Sequence, residues 1–265
     1  MCTMQSAPMP SAHGDACPDA EVVFARGTTE EPGPGPTGDA FIDSLRSRVG
    51  GKTVGVYAVD YPATTDFPTA VDGIADARAH ILATTATCPH TKVVLGGFSQ
   101  GAAVMGFVTA SVVPDGVSVS DVPAPMPPDV ADHVAAVALF GKPSTRFMHA
   151  INDPPVVVGP QYVDKTIDLC VDNDLVCDPH GSSFSAHDQY DETGMVDQGA
   201  AFVTSRLQAG WAADAAAPLP AARAPAPWSL PAPGAAPAPH LPSAPLTPPG
   251  PAVPVTPAAP VEPLA

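Results

Sequence analysis

Residues 92–108, KVVLGGFSQGAAVMGFV, constrain this chain more than any other stretch. The first half is an apolar run that reads as a buried strand ending near Phe98. The second half reads as a helix from Gly101 onward. Ser99 falls on the turn between them, inside a G-x-S-x-G pattern. So sharp a turn strains the serine backbone. Glycines on both sides make room where side chains would collide with the neighbouring strand and helix. The helix that follows aims backbone N–H groups and a partial positive charge at the serine, where an oxyanion would form. The pentapeptide alone would also suit a turn without chemistry. With a strand before it and a helix after it, Ser99 is a candidate nucleophile.

The rest of the chain repeats that alternation. Strand-like runs stand at 20–25, 53–61, 134–141 and 166–170, and helical spacing at 38–49, 69–88, 101–112 and 195–211. Apolar strands separated by helices predict a parallel sheet covered on both faces. With the G-x-S-x-G turn between a strand and a helix, the expected fold is of the α/β-hydrolase type. A domain of about 200 residues carrying this many elements leaves little sequence for a large lid.

The segment from Pro218 to Ala265 holds 17 of the 36 prolines and only two charged residues, Arg223 and Glu262. Proline removes backbone donors and blocks the interiors of helices and sheets, so such a stretch builds no core. The expected organisation is a flexible N-terminus at 1–14, one folded domain at 15–213, and a disordered Pro/Ala-rich tail at 214–265. Arg223 and Glu262 cancel, so the net charge of −16 belongs to the part before that stretch. Without a Lys/Arg cluster to offset it, that charge repels phosphate backbones and argues against a nucleic-acid partner. No CxxC pair and no HExxH are present, so neither a metal nor a cofactor is expected.

Five cysteines occur: Cys2, Cys17, Cys88, Cys170 and Cys177. Cys170 and Cys177 are close enough to clamp a loop, and Cys17 with Cys88 would tie the domain's start to its middle. Two disulfides imply an oxidising compartment. The opening residues, MCTMQSAPMPSAHGDA, carry no apolar export segment, so the expectation is that an export signal has already been removed.

A serine needs a base and an orienting acid. The fold orders them serine, acid, histidine along the chain. His240 lies in the tail, and His133 and His149 read as surface. His180 and His187 both follow Cys177, and spacing does not choose between them. The nearby acids are Asp168, Asp172, Asp174 and Asp178. A loop clamped from Cys170 to Cys177 would hold Asp172 or Asp174 in place.

Several segments together resemble the cutinase family, in its actinobacterial cutinase-like branch. They are FARGTTE (24–30), DYPATTDF (60–67), GGFSQGAAV (96–104), VALFGKP (137–143), CVDNDLVC (170–177) and AHDQY (186–190). The resemblance spans roughly Cys17 to Trp211. It implies that the acid is Asp174, before LVC, and that the base is His187, which opens H-x-x-Y. His180 then becomes a loop residue lining the site. It also implies oxyanion donors at the backbone of Gln100 and at Thr28, where the family often carries serine, and the disulfides Cys17–Cys88 and Cys170–Cys177. The activity implied is hydrolysis of short- and medium-chain lipid esters by a secreted or envelope-associated monomer, with a lipid or polyester substrate. Phospholipase or acyltransferase action and a weakly catalytic wall-binding protein are the alternatives. Met148, Ile151, Val156, Val157 and Val158 are candidates for the acyl site, with burial in the core the expected role for any one of them.

Overall fold

The computed structural model describes residues 17–217. The expected flexible N-terminus, Cys2, His240 and nearly all of the Pro/Ala-rich tail lie outside the described residues. Five strands form the sheet: β1 (Ala20–Ala25), β2 (Val54–Ala58), β3 (Lys92–Phe98), β4 (Val134–Phe140) and β5 (Thr166–Leu169). They lie in the order β2-β1-β3-β4-β5, and every pairing is parallel. Six helices connect or flank them: α1 (Gly35–Arg48), α2 (Ala70–Thr87), α3 (Gln100–Thr109), α4 (Val130–His133), α5 (Thr145–Ala150) and α6 (Met195–Ala216).

Side chains alternate along each strand, so the sheet feeds two cores. Val22, Phe24, Val94, Ala138 and Phe140 pack against Phe41 and Leu45 of α1 and Val203 and Leu207 of α6. Val23, Leu95, Val137 and Leu139 pack against Ala77 and Ile81 of α2 and Ala102 and Met105 of α3. Helices therefore cover both faces. That is why the strands read as continuous apolar runs and not as alternating ones.

Element ends differ from the sequence reading by a few residues. α6 continues through Ala216, into the segment expected to be tail. The alanines at 212, 213, 215 and 216 are strong helix formers, and Asp214 between them pairs with Lys92 of β3 at 2.8 Å. α3 stops at Thr109, short of the expected 112, where Ala110 turns extended. Two short helices were not expected. α5 carries its own start signal, since the Ser144 hydroxyl accepts from the amide of Phe147.

Cys17–Cys88 and Cys170–Cys177 are both bonded, with Cα atoms 5.6 and 5.7 Å apart. The first fastens the residues before β1 to the end of α2. The second closes the loop after β5.

Candidate active site

Ser99 lies between β3 and α3 with φ 55° and ψ −118°, a left-handed region that is uncommon for a side-chain-bearing residue. Two backbone hydrogen bonds hold it there: Ser99 N–H donates to the Phe140 carbonyl, and the Ser99 carbonyl accepts from Ala103. A Cβ at Gly97 would run into the carbonyl of Gly101, and one at Gly101 into the carbonyl of Ala25. The turn can be this tight only with glycine on both sides of Ser99.

Asp174 is fully buried in the loop after β5. Its carboxylate accepts from His187 Nδ1 at 2.7 Å, from the Tyr190 hydroxyl at 2.7 Å and from the Val176 amide at 2.8 Å. Burial by itself would raise its pKa. The bonds from His187, Tyr190 and Val176 outweigh burial and hold the carboxyl below its usual range. Tyr190 is shifted the other way: burial raises its phenol, and the adjacent Asp174 charge raises it further. The phenol therefore stays a donor.

The His187 ring lies over Phe98, centroids 5.0 Å apart. Gly141, in the left-handed region at φ 61°, leaves space for that ring and for the Tyr190 hydroxyl, both of which a Cβ would crowd. The histidine's other nitrogen, Nε2, is buried and has no hydrogen-bond partner among the described residues. Ser99 and His187 line the same cleft, yet the bond between them is not made. In free hydrolases that contact is commonly long and tightens with substrate bound.

Thr28 and Gln100 line the cleft beside Ser99. Gln100 is buried, and its side-chain amide donates to the Thr64 carbonyl at 3.1 Å. Thr28 caps no helix, because α1 starts behind Pro34. The strand end before it is locked by Arg26. The guanidinium donates to the carbonyls of Glu30 at 2.8 Å and Tyr61 at 2.6 Å, while the Tyr61 hydroxyl donates back to the Arg26 carbonyl. The Glu30 carboxylate accepts from the Gly27 amide at 2.6 Å. Thus residues 59–64 fasten the segments carrying both Thr28 and Gln100. Arg26, Tyr61, Glu30 and the role of Tyr190 were missed in the sequence, where buried polar partners leave no pattern.

The other candidates stand apart. Asp172 and His180 are exposed. Asp178 is half-buried and caps the loop through the amides of His180 and Asn173. Asp168 pairs with Lys142 at 3.2 Å. His149 is exposed and His133 half-buried. His180 does not line the cleft, because its loop turns it outward. Met148 and Ile151 do line it. Val156, Val157 and Val158 do not: Val156 packs on α3 at Gly106, Val158 on the α2–α3 core, and Val157 points to solvent. One cluster of metal-ligand types occurs among the described residues, Cys170, Asp174 and Cys177. Its two sulfurs are bonded to each other, so it offers no thiolate.

Comparison with known proteins bears on the same residues. The cutinase family model matches residues 16–207. A probable carboxylesterase, Culp5 of Mycobacterium tuberculosis, is 60% identical over 174 residues, covering 66% of this chain and 99% of that protein. The phospholipase Culp4 of the same organism is 47% identical over 194 residues, covering 72% and 80%. A solved structure of Trichoderma reesei cutinase in complex with a C11Y4 phosphonate inhibitor is 31% identical, with a TM-score of 0.55 over 72% of this chain and 77% of that one. A match that takes in the sheet, the serine turn and the loop after β5 leaves one assignment: this chain belongs to the cutinase family and is a carboxylic ester hydrolase.

Proposed function

We propose that the chain hydrolyses lipid-type carboxylic esters through Ser99, His187 and Asp174, by way of an acyl-enzyme. Ser99 Oγ attacks the ester carbonyl. His187 Nε2 takes the serine proton and returns it to the leaving alcohol. Asp174 holds the imidazole through Nδ1 and stabilises its charged form. The backbone of Gln100 and the backbone and hydroxyl of Thr28 stabilise the tetrahedral oxyanion. Water, activated by the same histidine, then releases the acyl group.

The observation that carries this reading is the fully buried Asp174 paired with His187, whose ring faces the same cleft as a serine in strained backbone. A carboxylate without exposure is costly unless its charge has a use and a partner. The two disulfides favour action outside the reducing cytosol, as a secreted or envelope-associated protein. The phospholipase relative supports a second reading, in which the ester is that of a phospholipid.

The test is hydrolysis of p-nitrophenyl butyrate by the protein and by Ser99→Ala, with a short-chain alkyl phosphonate as covalent probe. Turnover and labelling by the protein, both lost in Ser99→Ala, support the reading. A folded protein with both disulfides formed that neither labels nor turns over overturns it.

A further inference from the structure

The cleft at Ser99 does not end at the nucleophile. Its volume is about 1150 Å³, whereas pockets for small ligands run about 300–1,000 Å³. The extra space has a direction. Ala103, Val104, Phe107 and Val108 all line the cleft. Their spacing puts them on one side of α3, running away from Ser99 for most of the helix. From Ser99 to Thr109 that path is about 15 Å by helical rise.

Two walls flank this floor. Val71 and Ile74 of α2 line one side. On the other, Ile151 and Pro154 line it, and Val156 just beyond sits so close to α3 that a Cβ at position 106 would run into its Cγ1 methyl. Residues 111–125 complete the trough. Val113, Pro114, Val117, Val122 and Pro123 are half-buried and line it, while Val119 on the same loop is 77% exposed and does not. An apolar trough that begins at a nucleophile suits a chain attached to the scissile carbonyl.

Charge narrows the class further. Among the described lining residues, Glu30, Asp121, Asp153 and Asp188 are carboxylates, against one guanidinium, Arg78. Such a lining repels an anionic headgroup.

Resting on the proposed Ser99 chemistry, we propose that the trough along α3 holds the acyl half of a neutral long-chain ester, with residues 111–125 as its length-determining wall. This extends the acyl range past the short and medium chains expected from the family resemblance. It also favours neutral esters over anionic phospholipids.

The experiment compares kcat/KM for p-nitrophenyl palmitate and p-nitrophenyl butyrate in the protein, Val117→Asp and Val119→Asp. A second pair of substrates, dipalmitoylglycerol and dipalmitoyl phosphatidylglycerol, is presented in the same neutral detergent micelles. Short-chain phosphonate labelling of Ser99 reports an intact site in each variant. The expected result is a palmitate-to-butyrate ratio of one or more, lowered at least tenfold by Val117→Asp and unmoved by Val119→Asp. The neutral diacylglycerol should be cleaved at least tenfold faster than the anionic phospholipid. If Ser99 labels but palmitate is a poor substrate, or both loop variants shift the ratio alike, the inference is overturned and the proposed catalytic residues stand. Preference for the anionic phospholipid overturns the neutral class. Absence of labelling in the unaltered protein ends both.

Discussion

Residues 170–190 and residues 111–125 are loops facing the same cleft, and they are built by opposite means. The first is closed by Cys170–Cys177 and cross-laced: Leu175 to Ser183, Ser182 and Ser183 to Asn173, Arg146 to Gly181. Ser144 bonds the Val176 carbonyl twice, through its amide and its hydroxyl. The second makes only local hydrogen bonds, Val117 to Pro114, Asp121 to Ser118, Ser118 to Ser120 and Ser120 to Asp121. The loop that holds the proposed acid and base is fixed to within a hydrogen bond's tolerance. The loop that would meet an acyl chain is held mainly by apolar contact. Proton transfer is lost with small displacements, whereas a hydrocarbon wall only has to exclude water.

The sharpest way to break this contrast is Asp174→Asn. The amide keeps the shape of the loop but favours the wrong imidazole tautomer, and kcat for p-nitrophenyl butyrate should fall on the order of 10⁴-fold. Steady-state kinetics with the phosphonate-titrated enzyme measures it. A loss below tenfold would remove Asp174 from the mechanism.

Next is the paired substitution Cys170→Ser and Cys177→Ser. Opening so short a ring should cost about 2.5 kcal/mol of stability in the chain-entropy model, read by denaturant unfolding. Activity should drop with it, because Asp174 sits inside the ring. If stability falls while activity does not, the hydrogen bonds alone hold the acid.

Tyr190→Phe removes one donor from Asp174 and should cost about 1.5 kcal/mol. Asp174 is depressed in the fold, so its stabilisation is fully present above the unfolded carboxylate's pKa of about 3.9. It is lost as pH falls through the lower folded value. Without the Tyr190 bond the folded value rises towards the unfolded one, so this pH-dependent contribution shrinks. Unfolding midpoints measured from pH 6 down to pH 2 should show a shallower acid-side loss in Tyr190→Phe than in the unaltered protein.

The mildest test changes no residue. Amide hydrogen exchange should leave residues 111–125 poorly protected and residues 171–190 well protected. Equal protection would erase the distinction between the two loops.

Legibility in the sequence followed the same division. β1, β3 and β4 were readable because each is an apolar run buried on both faces; β2 and β5, half-buried at the sheet's edges, were readable from β-branched residues between turn signals. The serine turn was readable because only a strand, two glycines and a helix make that pattern. His187 and His180 were not separable from spacing, since what distinguishes them is burial against Phe98 and a bond back to Asp174 earlier in the same loop. The choice rested on the family resemblance. Of Val156–Val158, Val158 takes the core role expected of it, Val156 packs on α3 and Val157 faces solvent, because nearness in sequence to α5 does not fix which wall a loop follows. Arg26 and Tyr61, 35 residues apart, meet only once β1 and β2 are paired. α5 is too short to show a period, although its Ser144 cap was a usable signal.

The conformation of Ser99 has a further consequence. A residue with a Cβ at φ 55° and ψ −118° carries strain on the order of 1–3 kcal/mol, and glycine would relieve it. Ser99→Gly should therefore unfold later than both Ser99→Ala and the unaltered protein wherever relief exceeds the roughly 0.4–1 kcal/mol that glycine adds in unfolded-chain entropy. Thermal unfolding of the three side by side measures this. At this one position durability and reactivity pull in opposite directions, and a selection for heat resistance alone would discard the hydroxyl first.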